Sequence, residues 1–122
     1  MKYRELIKRV QHYSGFSVSE SERALQLFAT ALAYRLTDGE RKDFASQLPQ
    51  ELKDKVSNID ETVPYDKADL YQVFTETQDI DDGHAKKQIM SVWSALKEQL
   101  TEGQLQHIKA QLPPDLESEL HT

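Results

Sequence analysis

The chain has 122 residues, of which 38% are apolar and 30% charged, with a net charge of −6 and no cysteine. That balance describes a folded globular chain and excludes disulfides, thiolate metal sites and cysteine nucleophiles. The charge is uneven: residues 1–58 carry 10 Lys/Arg against 8 Asp/Glu, and residues 59–122 carry 5 against 13.

Tyr3, Leu6, Ile7 and Val10 recur at helical spacing and predict a first helix over about 2–13, broken at Ser14-Gly15. Ser17 and Ser19 each have a glutamate three residues on, Glu20 and Glu22, so either can open the second helix through a capping box. That helix, about 18–36, carries Leu25, Phe28, Ala29, Leu32 and Leu36 on one stripe. Leu27, Ala31 and Tyr34 form another, so burial on more than one side is expected. Thr37 with Glu40 caps a third helix over about 38–47. Pro49 disfavours helix at Leu48 and suits the first helical position of a short fourth helix bearing Leu52 and Val56. Residues 58–66 lack a helical period and read as a connection ending in Asp66 as the next N-cap. Ile59, Val63 and Tyr65 suggest that this connection lies against the core.

The pattern then returns 64 residues later without insertion or deletion. Leu6, Ile7 and Val10 become Leu70, Tyr71 and Phe74; Leu25, Phe28, Ala29, Leu32 and Leu36 become Ile89, Val92, Trp93, Leu96 and Leu100. Ser17 becomes Asp81, one capping residue for another. Phe44, Leu48, Pro49, Leu52 and Val56 become Ile108, Leu112, Pro113, Leu116 and Leu120. The expectation is an all-α protein: a tandem duplication of a three- to four-helix unit packed as one pseudo-twofold helical bundle. Residues 1–57 form the first repeat, 58–66 the linker and 67–122 the second repeat, with the second helices as the central pair. Half of such a chain, about 60 residues, would be marginal alone, so the halves should share one core.

The doubled segment Gln47-Leu48-Pro49 and Gln111-Leu112-Pro113, with Leu32, Leu36, Gly39 and Leu52 and their partners Leu96, Leu100, Gly103 and Leu116, resembles an uncharacterised bacterial helical family catalogued as domain of unknown function 2267. The resemblance spans nearly the whole chain. It implies a small all-α protein and carries over no activity and no catalytic residue.

Chemistry-bearing patterns are sparse. Gln47 and Gln111 precede helix breaks, where each amide can satisfy freed carbonyls or, as a pair, hold a small ligand. Asp79, Asp81, Asp82 and His84 fail the EF-hand spacing and read as a capping turn. His12, His84, His107 and His121 share no ligand spacing, and the four glycines form no phosphate loop, so neither a metal nor a cofactor is expected. No serine sits in a nucleophile elbow, which disfavours an enzyme. Lys2, Arg4, Lys8, Arg9, Arg41 and Lys42 could make a basic DNA-binding edge, but the matching positions of the second half are acidic or neutral, and the overall acidity argues against nucleic acid.

The halves differ where Leu27 and Tyr34 correspond to Ser91 and Glu98, and where Trp93 replaces Ala29. The extra stripe of Leu27 and Tyr34 packs inside against the other half or the linker, or forms a patch for a partner. Trp93 is expected in the core or at the seam between halves. The expected function is a non-enzymatic protein-interaction or regulatory module, acting on a protein partner or by self-association. The alternative is a small-molecule-binding protein or unrecognised enzyme with a seam pocket near Tyr34, Gln47, Trp93 and Gln111. No apolar run approaches the ~20 residues of a membrane span, and no signal-peptide core follows Met1, so a cytoplasmic, membrane-free protein is expected.

Overall fold

The computed structural model describes residues 2–120, and those residues are all-helical. Eight helices follow one another: α1 Tyr3–Ser14, α2 Val18–Arg35, α3 Asp38–Ser46, α4 Gln50–Ser57, α5 Lys67–Gln78, α6 Asp82–Gln99, α7 Glu102–Gln111 and α8 Pro114–Leu120. The bounds of α5 and α6 lie 64 residues after those of α1 and α2.

Local chemistry sets these bounds. Gly15 ends α1 in the left-handed conformation (φ 77°), its N–H donating to the Gln11 carbonyl at 2.7 Å. Asp79 does the same work after α5 at φ 55°, a conformation that a short polar side chain tolerates. Thr37 and Glu40 make both bonds of a capping box at α3, and Asp66 and Asp69 make both at α5. Ser17, not Ser19, caps α2, but it makes only half a box, because the Glu20 carboxylate turns away to α6. Pro49 is the N-cap of α4, with extended ψ, so the helix begins one residue after the expected position. In the second half Pro114 does occupy the first helical position of α8.

The buried apolar side chains form one cluster drawn from both halves. Helices α2 and α6 run side by side in the same direction: Glu20 meets His84 in their first turns, and Phe28 meets Trp93 edge-on further along, with ring centroids 6.3 Å apart. Trp93 thus fills volume across the contact between halves that Ala29 leaves on its own side. Helix α1 packs against both α2 and α6, whereas α5 packs on α6 and makes at most a marginal contact with α2.

The connection after α4 is held by Arg41, which is only 4% exposed. Its Nε–H donates to the Ala33 carbonyl at 3.0 Å, and Nη2 donates to the carbonyls of Leu36 at 2.8 Å and Glu61 at 2.7 Å. Asp38 balances its charge at 2.8 Å. One buried guanidinium therefore satisfies carbonyls freed at the end of α2 and ties the connection to them. Ile59 and Tyr65 pack against the core as expected; Val63 does not, its side chain being 38% exposed.

Candidate functional site

A face of α2 that α5 meets at most marginally carries Leu27, Thr30, Ala31 and Tyr34, spaced i, i+3, i+4 and i+7. Opposite it, α5 contributes Asp69, Leu70 and Val73, and the connection adds Glu61, Val63, Pro64 and Tyr65 as a third wall. Together they enclose a groove of about 540 Å³.

The third wall is firmly placed. Val63 N–H donates to the Tyr34 carbonyl at 2.7 Å, and Tyr65 Oη–H donates to the Ala31 carbonyl at 2.7 Å. Arg35 lies over the Tyr65 ring and donates to the carbonyls of Tyr65 at 3.0 Å and Gln111 at 2.9 Å. Burial pushes the Tyr65 phenol far above its ordinary range, so it stays a neutral donor. The groove is rigidly walled and mostly apolar, and two carboxylates, Glu61 and Asp69, sit on its rim.

The residues 64 positions away explain why the groove exists. Leu27, Thr30, Ala31 and Tyr34 are matched on α6 by Ser91, Ser94, Ala95 and Glu98, and Val73 of α5 is matched on α1 by Arg9. Glu98 accepts two bonds from Arg9, each 2.9 Å, and one from Tyr13, so this stripe of α6 faces α1. The Arg9 bonds, followed by that from Tyr13, hold the Glu98 carboxyl below its ordinary range. Small side chains and an ion pair close that seam. At the corresponding place between α2 and α5 stand Leu27, Tyr34 and Val73, bulky and without a charge pair, and the seam stays open.

A second, polar cluster joins the first turns of α2 and α6. His84 Nε2 contacts Glu20, and Gln88 Nε2 donates to the same carboxylate at 2.9 Å. Gln88 and Gln78 exchange amide bonds of 2.7 and 2.9 Å, and Arg23 adds one to Gln78 at 3.2 Å. Burial opposes ionisation of Glu20, but the bonds from His84 and Gln88 outweigh it, and its pKa lies below the ordinary value. Phe16 stacks on His84 at 5.1 Å. The cluster is saturated by its own members and reads as a clasp between halves.

Of the residues singled out from sequence, Leu27 and Tyr34 meet in the groove. Trp93 is buried in the core, while Gln47 caps the end of α3 and Gln111 ends α7, both half-buried and neither lining the groove. Asp79 and Asp81 are cap residues, the latter accepting the His84 N–H at 2.8 Å. Arg41 is buried and Arg9 is bound to Glu98, so the basic edge keeps Lys2, Arg4, Lys8 and Lys42 as exposed cations. His121 lies outside the described residues. Sequence reasoning placed Val63 against the core and passed over Val73, which is 48% exposed. The signal for Val73 was available, since an apolar residue stands where the first half has Arg9.

The family described as "Uncharacterized conserved protein (DUF2267)" matches residues 3–118. The chain belongs to that family. A comparison with curated proteins finds no match. Among the described residues no helix is long and apolar enough to cross a membrane.

Proposed function

We propose that this chain is a non-enzymatic interaction module that receives an amphipathic helix of a partner protein in the groove between α2 and α5. The observation that carries the reading is the unpartnered stripe of Leu27, Thr30, Ala31 and Tyr34 facing exposed Val63 and Val73. Two helices with a third wall fit a helix-in-groove mode, in which apolar anchors at i, i+3 or i+4 and i+7 fill the trough. An extended peptide has less to offer, because the Val63 N–H and the Glu61 and Tyr65 carbonyls are already bonded within the chain.

The recurrence of helix bounds at 64 residues supports the further reading that the halves are duplicated units about a pseudo-twofold axis. Glu20 touching His84, its own counterpart, supports an axis near that contact. On this reading one seam of the duplicated pair has been kept closed and the other adapted to a partner. The lack of cysteine supports the reducing cytoplasm as the place of work.

A photoreactive residue at Val73, in cells, tests the proposal. A single crosslinked partner that disappears when Ala31→Trp fills the groove is the expected result. A crosslink indifferent to Ala31→Trp, with the variant's helicity intact, overturns it. The volume of about 540 Å³ also falls within the range of small-ligand pockets, which supports an apolar small molecule as a second reading. Native mass spectrometry of the purified protein decides that reading: a bound mass lost in Ala31→Trp favours it over a protein partner.

A further inference from the structure

We infer that the helix taken by the groove is cationic, with Lys or Arg flanking a short apolar face; this rests on the groove reading above. The carboxylates of Glu61 and Asp69 line the groove, and Asp66 is exposed on the stretch between them. Among the described residues none of the three has an ion-pair partner. Asp66 and Asp69 accept backbone N–H bonds in the cap of α5 at 2.9 and 3.1 Å, which holds both side chains in place. Lys67, beside them in sequence, turns to Glu119 on α8. Arg35 directs its guanidinium to two carbonyls and the Tyr65 ring. An apolar partner alone would leave this acidic rim unanswered, and an acidic one would be repelled.

The dimensions fit the same occupant. Leu27 to Tyr34 spans seven residues of helix, about 10 Å, which is the distance between i and i+7 on a docking helix. The protein also contains an example of the required geometry. Helix α1, capped by exposed Lys2, carries exposed Arg4 and Lys8 on one side and buried Leu6, Ile7 and Val10 on the other, and it seats against α2 and α6 with Arg9 on Glu98. The α2–α5 groove offers an apolar floor with acids at its edge, which is the surface complementary to a helix of that kind.

Three synthetic helical peptides test this, each with Leu at i, i+3, i+4 and i+7, and with the other positions Lys-rich, Gln-rich or Glu-rich. Binding to the full chain is read by fluorescence anisotropy at low and high salt. The Lys-rich peptide is expected to bind at least about tenfold more tightly than the Glu-rich one at low salt, with the gap closing at high salt. Ala31→Trp should abolish binding, and Glu61→Gln with Asp69→Asn should erase the Lys preference while sparing the Gln-rich peptide. Equal affinities for all three peptides overturn the charge inference and leave the groove reading standing. Binding of none overturns both. Lys-rich binding that survives Ala31→Trp assigns it to general attraction by an acidic surface and likewise overturns the inference.

Discussion

Two helix seams, α1 with α6 and α2 with α5, have opposite outcomes. Between α1 and α6, the small side chains of Ser91, Ser94 and Ala95 are followed by Glu98, which Arg9 and Tyr13 hold, and the helices pack together. Between α5 and α2 the equivalent places hold Leu27, Thr30, Ala31 and Tyr34 opposite Val73, and the helices stand apart around a groove. A seam closes when small residues allow backbone approach and a charge pair fixes it. Bulky apolar residues without a matching surface hold it open. Apolar content does not by itself bury a face; the opposing surface must be shaped to meet it.

Substitutions and an acid titration put that contrast to the test. The largest effect is expected from Arg41→Met, because it leaves the Glu61 carbonyl without its donor, takes one of two donors from the Ala33 and Leu36 carbonyls, and releases the third wall of the groove. A loss of roughly 2–4 kcal/mol is expected in urea unfolding. Hydrogen exchange should quicken at the Val63 amide, which the wild-type chain protects through Tyr34.

Next, Ser91→Leu puts the bulk of Leu27 into the closed seam, where Ser91 is buried. Overpacking should cost about 1–3 kcal/mol. The reciprocal Leu27→Ser removes a half-buried side chain from the open seam and should cost about 1 kcal/mol or less. If the two changes prove equal in calorimetry, the distinction between seams fails.

Acid sharpens the comparison further. Glu98 clasps α6 to α1, Glu20 joins α2 to α6, and Glu119 accepts from Lys67 and Tyr71 to hold α8 on α5. For Glu119, burial opposes ionisation but the Lys67 and Tyr71 bonds outweigh it, so all three carboxyls lie below the ordinary 4.5. The unfolded chain then binds protons first as pH falls. Their stabilisation is full above pH 4.5 and is lost as pH drops through the folded values. The urea midpoint should be flat down to that point and decline below it, and replacing all three by Gln should flatten the decline. The smallest effect belongs to Glu98→Gln alone at neutral pH, because the pair is partly exposed; a slight loss of stability that high salt removes is expected.

Much of the helical grammar was legible in the residues. Thr37 with Glu40 and Asp66 as a cap announced their helices, and Gly15 ended one. These devices act within three or four residues of chain, so the sequence contains both partners of each bond. The contrast of Leu27 and Tyr34 with Ser91 and Glu98 also pointed toward the groove. Glu20 misled, because its position promised a capping box while its carboxylate found His84 and Gln88. Arg41 misled too, since a cation on an amphipathic helix ordinarily faces water, and only carbonyls from α2 and the connection make its burial tolerable.

Where this chain becomes helical, which faces are apolar and the recurrence of the apolar pattern after 64 residues were all written in the order of its residues. Those properties follow from local dihedrals, caps and spacing. That α1 lies on α6, that α5 stays off α2 and that residues 61–65 wall the gap between them came from packing of the whole chain. Each of those outcomes depends on side chains from two or three elements meeting at once, a condition of shape and charge matching that no single stretch of chain encodes.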